Sequence, residues 1–286
     1  MKSNTRIAND VNEAKYKSRS AATGRWMTRL ARLGYTVKGI VYVVIGWLAV
    51  MLAIGHGGKA TDQSGAIQTI NNLPSGKFLL VVVAIGLLGF ALWSFIQALF
   101  DTEGKGRDAK GIVSRIGYAV VGASYGLLSY ATFQIVVGTG RGGSNSTSRT
   151  QDGTALLLKQ PPGIALVIIV GIGVLCVAAY LFSKAYSANF KSRLNLTELS
   201  AQMRKLMINL GRFGYAALGV VFSIIGIFLI VAAFQHNAKQ AVGLDGALQE
   251  LVRQPFGPFL LGIVALGLIA YGLYSFVEAR YRRLGR

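Results

Sequence analysis

Charge is scarce in this chain, and acidic charge is scarcest. Asp, Glu, Lys and Arg make up 14% of the 286 residues, where a soluble protein carries about a quarter. Acidic residues number 11 against 30 basic ones. There is 1 cysteine, Cys176, so no internal disulfide can form. There are 2 histidines, His56 and His236, with no cysteine or carboxylate pattern beside them. Two histidines alone make a poor metal site. These shortages leave no catalytic, metal-binding or cofactor-binding residue to nominate. A cleavable signal peptide is not expected either, because the first apolar run follows a polar, basic segment of 33 residues.

The missing charge leaves long apolar runs. Six stretches are almost free of it: 34–55, 78–100, 116–138, 164–182, 213–235 and 259–277. Each is about 20 residues long, enough for a helix to cross a ~30 Å hydrocarbon core. A soluble core helix is seldom apolar on every face for that length. The expectation is an all-α, polytopic membrane protein with six transmembrane helices. The basic residues alternate in number between connections. The four segments at one end of the helices hold 22 Lys and Arg, those at the other end 7, with Lys38 apart inside the first run. That asymmetry predicts cytoplasmic N and C termini in a multi-pass inner-membrane protein. It also makes the formal charge of +19 a mark of topology and of attraction to anionic lipid. No nucleic-acid partner is expected, since the basic N-terminal segment lacks interleaved aromatics.

One pattern is written three times: RLGYTVKG from Arg32, RIGYAVVG from Arg115 and RFGYAALG from Arg212. Each such helix leads to a loop ending in Pro-x-Gly: Pro74-Ser75-Gly76, Pro161-Pro162-Gly163 and Pro255-Phe256-Gly257. Counting from that glycine, position ten is Gly86, Gly173 and Gly267. Position thirteen is Gly89, Cys176 and Ala270. Position seventeen is Trp93, Tyr180 and Tyr274, and position nineteen is Phe95, Phe182 and Phe276. Self-similarity at a steady period marks a repeat architecture. The unit crosses twice, so three parallel two-helix repeats with pseudo-threefold symmetry are expected. The chain divides into a basic tail (1–28), a first repeat (29–110), a second (111–207) ending in an amphipathic helix, and a third (208–286) ending in a basic tail. Short amphipathic helices are expected at the outer surface, capped by Ser64 and Asp245. Basic amphipathic helices in the headgroup plane are expected around Trp26–Leu33 and Leu199–Leu210.

Small residues line one face of each crossing helix: Gly39 and Gly46, Gly122 and Ser129, Gly219 and Gly226 on the odd helices, and Gly86, Gly89, Gly173 and Gly267 on the even ones. Such residues let helices approach closely in lipid. Depth arithmetic places Gly39 near Trp93 and Tyr42 near Gly89, so each hairpin is expected to lock an aromatic ring (Trp93, Tyr180, Tyr274) against a glycine. Arg32, Arg115 and Arg212, each followed three positions on by Tyr35, Tyr118 or Tyr215, are candidate anchors for anionic lipid headgroups, since a guanidinium fork suits phosphate. Lys38 is expected to snorkel to the interface; pairing with Glu278 is the alternative. Gly122–Gly126 fits G-x-S-x-G and 138–143 fits G-x-G-x-x-G, but neither sits at the strand-to-helix turn that its chemistry needs.

The three R-φ-G-Y-x3-G openings, the segments SGAIQTI and DGALQELVRQPFG and the closing LGLIAYGLYSF resemble the bacterial membrane family catalogued as domain of unknown function 1206. The resemblance runs from Arg29 to about Tyr281 and implies three two-helix repeats. It implies no activity. The expectation is a non-enzymatic scaffold or lipid-interacting protein whose partner is the bilayer; the alternative is a transporter or channel with a path along the pseudo-threefold axis.

Overall fold

The computed structural model describes residues 25–100, 108–139, 145–195 and 199–282. Among the described residues, nine α-helices follow one another: α1 (Arg25–Ala53), α2 (Gln63–Asn71), α3 (Gly76–Phe100), α4 (Ala109–Val137), α5 (Ser146–Leu158), α6 (Gly163–Ser187), α7 (Ala201–Phe234), α8 (Leu244–Arg253) and α9 (Gly257–Tyr281). Helices α1, α3, α4, α6, α7 and α9 are long and apolar enough to cross a membrane. Helices α2, α5 and α8 fill the three connections at one end, called apical below. The other end, called basal, carries the start of α1 and the finish of α9.

The headgroup-plane helices expected on the basal side are not separate elements. Trp26–Leu33 begins α1, and the apolar stripe near Leu206 belongs to the 34-residue α7. Nothing breaks the helix between stripe and span, because neither junction holds a proline. The apical helices also differ from expectation. Ala66 and Ile67 of α2, and Ala247 and Leu248 of α8, are fully or almost fully buried. Their apolar faces turn into the bundle rather than lying on its surface. The cap of α2 is Asp62, which accepts from the Gly65 N–H at 2.9 Å. Ser64 falls inside the helix, and Asp245 falls in the first turn of α8.

The repeats meet at three equivalent contacts. A Cβ placed on Gly39 of α1 would lie 2.9 Å from the Phe276 ring of α9; one on Gly122 of α4 would lie 3.1 Å from Phe95 of α3; one on Gly219 of α7 would lie 2.9 Å from Phe182 of α6. Two turns deeper, Gly46 sits against the Ala265 carbonyl and Gly226 against that of Gly171, while Ser129 donates to the Ala84 carbonyl at 2.8 Å. Ala84, Gly171 and Ala265 all lie eight residues after the Pro-x-Gly glycine. Each odd helix therefore seats the even helix of the preceding repeat, in cyclic order, which gives the pseudo-threefold arrangement. Its aromatic-on-glycine contact lies between repeats. The expected partner of Gly39, Trp93, packs instead with Ala31, Tyr35 and Phe90.

Inside the repeats the symmetry fails. In the first hairpin, Gly34 lies against Phe90, Gly86 against Val37 and Gly89 against Leu30. In the third, Gly214 lies against Tyr271 and Gly267 against Ala217. In the second, the equivalent Gly117 and Gly173 have nothing within 4 Å. Val113, Ile116 and Val120 of α4 and Cys176, Val177 and Tyr180 of α6 are exposed. Only 22% of the most apolar window of α4 or α6 is buried, against 56% for α3 and α9. Helices α4 and α6 are splayed apart, and an apolar seam runs between them.

Candidate functional site

The most unusual chemistry inside the bundle is a charged cluster near its basal end. Lys38 projects from α1 and Glu278 from α9, two helices brought together by the Gly39–Gly272 contact. Lys38 Nζ stands 3.8 Å from Glu278 Oε2, with side chains only 8% and 6% exposed. Arg282, just past α9, donates from Nη1 to Glu278 Oε1 at 2.7 Å. Three rings surround the ammonium: Tyr271 at 4.6 Å, Phe90 at 5.3 Å and Tyr35 at 5.5 Å from centroid to Nζ. Cation–π attraction of this kind strengthens with desolvation. The Arg282 guanidinium lies 4.9 Å from the Tyr35 ring. Lys38 thus does not snorkel. The Tyr35 and Phe90 rings lie against its ammonium, and the carboxylate of Glu278 compensates it inside.

The rings continue as two clusters joined by Lys38. One links Tyr35, Phe90 and Tyr125 at centroid distances of 5.1 and 4.7 Å. The other links Tyr42 to Tyr271, Tyr271 to Tyr215 and Tyr215 to Tyr274 at 4.8, 5.5 and 5.6 Å. Phe190, from the short 3-10 turn Asn189–Arg193 after α6, enters from the basal side and packs on Tyr215 and Tyr274 at 5.3 and 5.0 Å. Sequence reasoning missed a signal here. Position twenty-one after the Pro-x-Gly glycine is Gln97, Lys184 and Glu278, polar in every repeat. Gln97 and Glu278 are buried, and Lys184 reaches across to the Tyr215 ring, 4.0 Å from its centroid.

The repeated arginines serve helix ends. Arg115 donates from Nε to the Ala98 carbonyl at 2.6 Å and from Nη2 to that of Leu99 at 2.9 Å. Arg212 donates from Nε to the Ala185 carbonyl at 2.9 Å. The last carbonyls of a helix lack intrahelical partners and carry partial negative charge, so a guanidinium satisfies both needs. Each arginine caps the preceding repeat, at the same register, since Ala98 and Ala185 both stand twenty-two residues after the Pro-x-Gly glycine. Arg32 is exposed, and the basal end of α9 is tied instead by Arg282 and by Asn195, whose N–H donates to Tyr281 at 2.8 Å. Tyr35 and Tyr215 are buried, 2% and 4% exposed, so their rings face the core and not a headgroup layer; Tyr118 is half-buried. The three stations read from sequence are therefore not equivalent: Arg115 and Arg212 hold helix ends, and Arg32 is exposed.

The apical end is tied by a hydrogen-bonded hub. Asp245 Oδ1 accepts from Ser146 Oγ, Thr147 N and Thr147 Oγ1 at 2.7, 2.9 and 2.7 Å. Asp62 Oδ2 accepts from the Ser146 N–H at 2.6 Å and from Arg149 Nη2 at 3.2 Å. The start of α5 thereby bridges α2 and α8. His56 and His236, nearby, are exposed.

Family models decide the affiliation. The family described as Domain of Unknown Function (DUF1206) matches at residues 33–101, 116–188 and 213–282, one match per hairpin. The chain belongs to that family. It is also 38% identical over 262 residues to "Uncharacterized protein YxxB" of Bacillus subtilis (strain 168), covering 92% of this chain and 94% of that protein. No solved structure matches it. Family and fold agree on three two-helix repeats in a multi-pass membrane protein.

Proposed function

We propose that this is a non-enzymatic, lipid-interacting protein of the bacterial cytoplasmic membrane, with both termini in the cytoplasm, and that its lipid site is the seam of the second hairpin. The observation that carries this reading is the unpacked pair of faces on α4 and α6. The same small-residue stripe packs on its own odd helix in the two sister hairpins. At membrane depth the medium facing that seam is acyl chain. The apical end of the seam meets α5 and the hub, while at its basal end stand Arg115, which also holds the α3 carbonyls, and Lys184, which also lies over the Tyr215 ring. The occupant that fits is an anionic phospholipid of the cytoplasmic leaflet, its chains between the helices and its phosphate at the basic edge.

The rival is a path along the pseudo-threefold axis. Against it stands one contiguous apolar core, which runs from Ile67 and Leu248 at the apical end through Tyr42 and Tyr271 to Phe190 and Leu194 at the basal end.

Two measurements test the proposal. Native mass spectrometry of protein purified with phosphatidylglycerol should show fewer retained lipids after Gly117→Trp plus Gly173→Trp, because both positions open onto free space and the rings fill the seam. Unchanged retention removes the seam as the lipid site. Orientation is read by an impermeant thiol reagent in a Cys176→Ala background: Asn145→Cys should label in intact cells and Glu198→Cys should not.

A further inference from the structure

The turn that leads into α9 carries a backbone cost for which the fold offers its side chain little in return. Gln254, Pro255, Phe256 and Gly257 form a four-residue turn, closed by the Gly257 N–H donating to the Gln254 carbonyl at 2.8 Å. Proline in second place and a left-handed third residue follow the type II pattern, in which glycine or asparagine suits the third place. Here the third residue is Phe256, with φ 59°. A bulky side chain on such a backbone is an outlier. The first repeat builds the same turn from Leu73 to Gly76, also closed at 2.8 Å, and its left-handed residue is Ser75, with φ 65°. The turn therefore requires the conformation at this place and does not require a ring.

Phe256 is 84% exposed, so its ring adds little to the packing of the described residues. It continues a strip. Phe259, Ile263 and Leu266 follow along α9 at steps of three and four and are exposed as well, which puts all four on one face. At the level of Ile263 and Leu266 that face meets acyl chains. Depth locates its upper end. Arg280, near the basal end of α9, is exposed and marks the basal edge of the hydrocarbon. A ~30 Å core takes about 20 residues of helix at ~1.5 Å each. Counted from Arg280, the core ends near Leu260, and Phe256 stands about 6 Å further out. That is the headgroup layer, where an aromatic ring is favoured.

We infer that Phe256 is an interfacial anchor whose partner is the lipid surface at the apical end. The turn holds the ring outward, into the glycerol and headgroup layer, where it extends the lipid-facing strip of α9 and fixes the depth of the third hairpin. Transfer of the ring out of water offsets the cost of the left-handed backbone. Of the three Pro-x-Gly turns the third alone carries a ring, since Ser75 and Pro162 stand in the same place, so the anchor pins one hairpin and not all three. It is independent of the seam, which lies between α4 and α6.

The test reads the surroundings of this position in the full chain. Phe256→Cys in a Cys176→Ala background is labelled with bimane and placed in phosphatidylglycerol nanodiscs; Asp152→Cys, on the exposed side of α5, is the aqueous control. Strong quenching at position 256 by lipid carrying a nitroxide on its headgroup, with weak quenching by iodide, is expected, and the reverse at position 152. Melting of unlabelled protein in the same nanodiscs separates the ring from the backbone. Ser75→Gly relieves a left-handed backbone and should raise the melting temperature or leave it unchanged. Phe256→Gly relieves it too but gives up the ring, and should lower the melting temperature, while Phe256→Trp should preserve it. Iodide quenching at position 256 equal to that at position 152 overturns the inference, because the ring then lies in water. Shielding from both quenchers overturns it as well, because the ring then lies under a second copy or another protein. So does a melting temperature raised as much by Phe256→Gly as by Ser75→Gly, which leaves the ring no role outside the chain.

Discussion

The first and second hairpins carry the same opening motif and the same small-residue stripe, and they pack in opposite ways. In the first, Leu30, Leu33 and Val37 of α1 lie over Gly86 and Gly89 of α3. In the second, Val113, Ile116 and Val120 look across at Gly173 and Cys176 without touching them. A visible difference lies at the apical turn. Ser75 and Phe256, in the middle of the first and third Pro-x-Gly turns, adopt left-handed φ values of 65° and 59°. The second turn has Pro162 there, with φ −94°, because the pyrrolidine ring forbids a positive φ. The chain enters α6 along a different route. Small residues permit close helix packing, then, but do not by themselves bring it about.

The comparison can be broken first at position twenty-one. Glu278→Leu removes the carboxylate that faces the buried Lys38 ammonium and should cost about 3–5 kcal/mol. Lys184→Leu, the equivalent change in the splayed hairpin, removes a cation that lies over the Tyr180 and Tyr215 rings and should cost less than Glu278→Leu. Melting in nanodiscs measures both, and similar shifts would mean that the second hairpin is packed like the others. The stripe is the next place to press. Gly86→Leu drives a side chain into Val37, with an overpacking cost of roughly 1–3 kcal/mol. Gly173→Leu meets open space and should stay within about 0.5 kcal/mol.

The apical loops allow a finer cut. Asp245→Ala leaves the Thr147 N–H and two hydroxyls without their acceptor, a loss of about 1–3 kcal/mol. Asp152→Ala, on the exposed side of α5, should be silent, and hydrogen exchange at the start of α5 distinguishes the two. The smallest expected effects are at the arginines. Arg115→Lys and Arg212→Lys lose a fixed guanidinium on a helix end, about 0.5–1.5 kcal/mol each, whereas Arg32→Lys, which caps nothing among the described residues, should leave melting unchanged. A similar shift for all three would restore them as equivalent stations.

The architecture was largely legible. Six runs without charge, three R-φ-G-Y openings and three Pro-x-Gly turns give the helices and their grouping into three repeats. Spacing along a helix reports which residues share a face, but not which neighbour that face meets. Gly39 was matched to Trp93 by depth alone, and depth is equal for the helix beside it in the same repeat and the helix beside it in the next. Lys38 misled for a related reason. One lysine a turn inside an interface reads first as snorkelling, and pairing with Glu278, 240 residues away in sequence, stays the alternative until the helices are placed side by side. The hub at Asp62 and Asp245 joins residues from three separate connections, which no single-segment pattern reports.

Cross-linking across the second hairpin tests the central claim most directly. Val113 and Cys176 stand where Leu30 and Gly89 touch in the first hairpin. A Val113→Cys variant therefore carries a cysteine pair, with native Cys176, that closes only if α4 packs on α6 as α1 packs on α3. The control is Leu210→Cys with Ala270→Cys in a Cys176→Ala background, the same register in the packed third hairpin. In native membranes under mild oxidation, the account predicts a disulfide in the control and none across the second hairpin. A disulfide formed equally fast at both would contradict the open seam, and with it the lipid site proposed there.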